Sequence, residues 1–101
     1  MKQELDDALC KKYPLIFAQR NWDKMDTCMC WGFECGDGWY DLIDTLCRAL
    51  QDYANTYPEH QVVATQVKSK FGELRFYVDG GNDVADWMIS FAERLSSTIK
   101  E

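Results

Sequence analysis

Histidine and proline are nearly absent: His60 is the only imidazole, and Pro14 and Pro58 are the only prolines, among 101 residues. A lone histidine at the start of a strand is ordinarily an edge or surface residue. It leaves any serine or cysteine nucleophile without a base unless His60 reaches it. No glycine-rich phosphate loop followed by lysine occurs, so the usual nucleotide cradle is missing. No apolar run approaches the ~18 residues needed to cross a bilayer. The opening "MKQELDDALCKKY" is acidic and amphipathic and lacks the apolar segment of a secretion signal. Basic residues are also scarce, 11 against 17 acidic ones, for a net charge of −6. Between residues 21 and 59 only Lys24 and Arg48 oppose eight carboxylates, so the whole imbalance lies there. A zone of that sign disfavours a phosphate backbone and steers toward a basic protein partner.

The remaining composition is that of one ordered domain spanning residues 1–101. Apolar residues make up 47% and aromatics 14%, and the 28% of charged residues are mixed in sign. There are no internal repeats, linkers or low-complexity segments. An intracellular setting is expected, in which five cysteines read as free thiols or metal ligands before they read as disulfides.

Periodicity predicts helices over 2–13, 38–54 and 83–99. The first carries Leu5, Ala8, Leu9 and Tyr13 at helical spacing and stops before Pro14. The second is marked by Trp39, Leu42, Ile43, Leu46, Cys47, Leu50 and Tyr53, and the third by Val84, Met88, Phe91, Ala92, Leu95 and Ile99. Asn82 or Asp83 is expected to cap the third helix, and Asp37 the second. Residues 14–27 read as a loop turning around "NWDKMD", and 28–34 as a possible strand. "QVVATQVKSKFGELRFYV" alternates around a glycine-containing turn and predicts a hairpin, with strands at 61–68 and 73–79. Val63, Val67, Leu74, Phe76 and Val78 are expected on its buried face. The fold class is therefore α+β, a small antiparallel sheet packed against about three helices.

"WGFECGDGWYDLIDTLC" followed by "QVKSKFGELRFYVDGG" resembles a family of small proteins scattered through bacteriophages and prophages. The motifs W-G-F-E-C-G-D-G-W and K-x-K-F-G-x-L-R-F-Y carry the resemblance, which covers about residues 31–95. It implies a setting, a phage accessory gene at work in the cytoplasm of an infected bacterium, and no particular activity. Longer relatives continue into a C-x-x-C-containing tail, whose metal chemistry does not carry over to these residues.

Four candidate sites follow. Cys28, Cys30 and Cys35 with Cys47 or His60 could supply four zinc ligands. Only Cys30 and Cys35 show C-x₂₋₄-C spacing, with no second such pair, and Cys47 falls on an apolar helical stripe, so no metal or other cofactor is expected. Glu34, Asp37, Asp41 and Asp44 could hold a hard cation or act as an acid–base pair, yet negative charge at a helix entrance is favourable by itself. Trp22, Glu34, Asp41, Asp44 and Asp52 form the preferred reading, an acidic docking surface with one aromatic anchor. Lys68, Lys70, Arg75 and Tyr77 form the alternative, a basic hairpin patch. The expected function is stoichiometric, non-enzymatic binding, an anti-CRISPR-like inhibitor covering a basic nucleic-acid-binding surface of a host defence protein. Direct nucleic-acid or membrane binding is not expected. The alternatives are a nucleic-acid-associated domain using the hairpin, and a small enzyme or metal protein using the acidic and cysteine-rich region.

Overall fold

The computed structural model describes residues 1–101. Three helices, α1 (Gln3–Lys12), α2 (Tyr40–Thr56) and α3 (Asp83–Ser96), surround three strands, β1 (Phe33–Glu34), β2 (Val62–Lys70) and β3 (Glu73–Gly80). The fold is α+β as expected. No helix is long and apolar enough to cross a membrane. β2 and β3 pair antiparallel, whereas β1 joins the far side of β2 in parallel, so the sheet is mixed rather than wholly antiparallel. Of the possible strand at 28–34 only Phe33–Glu34 forms, and Cys28–Trp31 make one turn of 3-10 helix capped by Thr27, whose hydroxyl accepts from the Met29 N–H.

The core is one cluster between the sheet, α2 and the segment leading into β1, with Trp39, Ile43, Leu50, Val62, Val67 and Leu74 fully enclosed. Phe17 meets Phe33 edge to face at 4.9 Å, which seats the 14–27 loop on the sheet. The phase of β2 differs from simple alternation. Val62 and Ala64 are buried and Val63 is not, because a bulge at Thr65 shifts the register before Val67 turns inward. At the bulge the Ala64 N–H leaves the ladder and donates to the carbonyl of Ile16 at 2.7 Å.

α3 is rotated by about one residue from the expected stripe. Ala85, Ile89, Ala92 and Ser96 face inward, while Phe91, Leu95 and Ile99 are exposed. The cause is α3's position along β3's outer edge. Glu93 accepts from the Phe76 N–H and Ser96 Oγ accepts from the Leu74 N–H, both at 2.9 Å, so the edge strand's free donors set which side turns inward. Asn82 caps α3 as expected, accepting from the N–H groups of Val84 and Ala85.

The hairpin closes over Phe71 and Gly72, both at positive φ, 55° and 77°. Glycine and asparagine take that conformation readily, and a phenylalanine 99% exposed to solvent gains no packing in return. Phe71→Asn is accordingly expected to raise stability by about 1 kcal/mol. Urea denaturation checks this, and an unchanged or lowered midpoint contradicts it.

Candidate functional site

The stretch from Cys28 to Cys47 ties both ends of the chain to the core. Gly32, at φ 72°, lies against the side chains of Asp6 and Arg20, and a Cβ there would collide with both. Arg20 donates from Nε and Nη2 to the two carboxylate oxygens of Asp6 at 3.0 and 3.1 Å, and from Nη1 to the carbonyl of Cys30 at 2.8 Å. Both side chains are largely buried. The Met1 amine donates to the carbonyls of Phe33 and Cys35. At the other end of the chain, Gly38 N–H donates to the carbonyl of Glu101 at 2.9 Å, and the Trp39 indole donates to that of Ile99 at 2.8 Å. A Cβ on Gly36 or Gly38 would strike the Lys100–Glu101 backbone. Close approach, not unusual dihedrals, is what these two glycines provide.

Asp37 does not cap α2. It is the first residue of a 3-10 turn, Asp37–Trp39, that leads into the helix, and it makes no bond to that turn's own N–H groups. Its Oδ1 accepts instead from the Lys2 N–H at 2.7 Å, placing a carboxylate at the entrance of α1, where the helix dipole favours it. The 3-10 turn redirects the backbone, so the expected geometry never forms.

Asp44 is equally displaced from its expected exposed position. It is buried and accepts from the Tyr13 hydroxyl at 2.6 Å and from Lys12 at 3.3 Å, with Arg48 3.6 Å away. The Tyr13 hydrogen bond, followed by Lys12, lowers its pKa, while burial and Asp44 together raise that of Tyr13 to about 12. A carboxyl whose folded pKa is depressed stabilises the fold above its unfolded value near ~3.9, and this contribution disappears as pH falls through the folded value. Asp44→Asn is therefore expected to be less stable than wild type at neutral pH, with the gap closing below about pH 4. Thermal melts across that range check it; a gap independent of pH contradicts it.

The cysteines do not converge. Cys28 is exposed, Cys30 half-buried, and Cys35 and Cys47 buried, all as free thiols. Burial pushes Cys35 up to about 11 and Cys47 well beyond the ordinary thiol range, and burial beside Asp6 raises Cys10 to about 12. These three thiols are poor nucleophiles and reluctant ligands. No three His, Cys, Asp or Glu side chains gather where they could hold a metal ion. His60 stacks on Tyr53, its Nε2 3.7 Å from Glu59.

Of the acidic docking set, Glu34, Asp41 and Asp52 are exposed, but they do not form one patch. Asp41 and Asp52 stand three turns apart on α2, about 16 Å. Glu34 sits in register with Lys68, which in turn faces Arg75. The basic hairpin patch is thus real in geometry, since Lys68, Lys70, Arg75 and Tyr77 share one sheet face. It is interleaved with Glu34 and with Glu73, which pairs with Arg75 at 3.0 Å. Glu34 beside Lys68 and Glu73 beside Lys70 and Arg75 offset the directly opposed Lys68 and Arg75, and so weaken the field a phosphate would meet.

Trp22 and Tyr77, assigned to rival surfaces from the sequence, come together. They line a cleft of about 740 Å³ between the 19–28 segment and the hairpin, with Met25, Asp26 and Asp79 on the same walls and Lys24 as its one cation. Trp22, Met25 and Tyr77 are 51%, 84% and 44% exposed. Neither Met25 nor Asp79 carries a sequence signal, because the cleft depends on the loop packing back on the sheet through Phe17 and Ile16. The second feature missed from sequence is an apolar groove between α2 and α3, overlooked because Phe91 and Leu95 read as core. No protein family, curated protein or solved structure matches the chain.

Proposed function

We propose that this chain acts by stoichiometric binding to a basic protein surface, with the Trp22–Tyr77 cleft as its docking site. The cleft carries this reading: three exposed side chains of the type that anchor interfaces stand over Asp26 and Asp79, an arrangement suited to an arginine or lysine seated against an aromatic face. Glu34, Asp41 and Asp52 add long-range attraction rather than contact. In the phage setting that the resemblance implies, the partner is a host defence protein in the bacterial cytoplasm. Occupying its nucleic-acid-binding surface would inhibit it by competition, as an anti-CRISPR does. Catalysis is disfavoured by the thiols' raised pKa values and by the structural engagement of Asp37 and Asp44.

The test is affinity capture from the host bacterium. Reversing Asp26 and Asp79 to Lys, or Trp22→Ala, is expected to weaken capture by about 30-fold or more, the scale of an interface hot spot. Lys68→Glu with Arg75→Glu should retain the partner. Loss of capture with the hairpin pair alone would move the site to the sheet face.

A further inference from the structure

We infer that the α2–α3 face joins two copies of this chain in an antiparallel dimer. Trp87, Phe91 and Leu95 recur at i, i+4 and i+8 along α3 and are 72%, 68% and 44% exposed, although each is large and apolar. Beside this ridge runs a groove of about 420 Å³, floored by Leu42, Leu46, Ala49, Met88 and Ala92. A second hollow lies against the ridge and is lined by Trp87, Ser90, Phe91 and Arg94. A ridge and the hollows that would receive it therefore share one surface, the condition for a two-fold contact in which each copy presents the same patch.

Charge selects the direction. Asp83, Trp87, Ser90 and Arg94 lie along one line of α3, at i, i+4, i+7 and i+11. The line begins acidic and ends basic, and neither Asp83 nor Arg94 is engaged in an ion pair within the chain. Antiparallel copies set Asp83 of one against Arg94 of the other, twice, with the small Ser90 near the crossing. Parallel copies would oppose like charges.

The exposed apolar surface is of the size that functional patches have. Three exposed apolar side chains of this size offer on the order of 300–400 Å² of apolar surface, comparable with the largest patch ordinary monomers expose. The rest of the ~800 Å² that each partner contributes to a standard interface would come from the groove floor and polar rim around this face. It shares no residue with the Trp22–Tyr77 cleft, so the inference does not depend on the proposed function.

Sedimentation equilibrium of the purified chain tests this. The expected result is twice the chain mass with a dissociation constant on the order of 10 µM or tighter. Trp87→Glu should give a monomer with unchanged circular dichroism. If that variant misfolds, the charge line remains testable: Arg94→Asp should weaken the dimer about tenfold or more, and adding Asp83→Arg should restore it. A wild-type monomer throughout this range overturns the dimer. A dimer unaffected by Trp87→Glu overturns the face, and charge reversals without effect overturn the antiparallel arrangement.

Discussion

Replacing Asp6 with alanine is expected to lower unfolding free energy by about 3–5 kcal/mol, the cost of leaving a buried charge without its partner. Arg20 would keep its bond to the carbonyl of Cys30 but lose both carboxylate contacts in a site where little water reaches it. The same change gives a second readout. Burial is the largest cause of the raised Cys10 pKa of about 12, and Asp6 is the next, so in the variant the thiol should titrate lower without reaching its ordinary value. Gly32→Ala, which pushes a methyl group into the Asp6–Arg20 pair, should cost less in the Asp6→Ala background than in wild type. Urea titrations of the four proteins form the cycle. Strict additivity would show that Gly32 and the ion pair act independently.

Trp39→Ala should be comparably severe, about 3–5 kcal/mol, because it empties a fully buried site where α2 begins. Trp39→Phe separates the two contributions of the side chain. It keeps most of the packing and removes the indole hydrogen bond to Ile99, leaving an unpaired carbonyl, at about 1–3 kcal/mol. If both substitutions unfold at the wild-type urea midpoint, Trp39 does not anchor the helix entrance.

Local signals located the elements well, and the errors share a cause. α2 is legible because its apolar residues fill a single stripe, most of which faces the core. α3 was legible as a helix, yet its apolar residues wrap more than half of its circumference, and periodicity alone does not say which side turns inward. The hydrogen bonds of Glu93 and Ser96 to β3 decide that, and they join residues 17 and 22 positions apart. Val63 leaves its expected buried face because one extra residue at Thr65 inverts the alternation, and nothing in "VVATQV" marks a bulge. The sequence ties Asp37 and Asp44 to the second helix, whereas their partners, Lys2, Tyr13 and Lys12, arrive from α1 and the residues flanking it. Trp22 and Tyr77 each stood out as exposed aromatics. Their meeting in one cleft is a tertiary event, set by the 14–27 loop packing on the sheet.

The central structural claim is that the segment from Met29 to Trp39 serves the fold, with the binding surfaces anchored outside it. Hydrogen exchange of the four tryptophan indoles, followed by NMR, tests it most directly. Trp39, enclosed and bonded to Ile99, should exchange only with global unfolding, while Trp22, Trp31 and Trp87, all more than half exposed, should exchange at once or, for Trp87, on dimer dissociation. A Trp39 indole that exchanges as fast as Trp31, while the β2 and β3 amides stay protected, would show that this stretch is not fastened to the chain's end and would contradict the account.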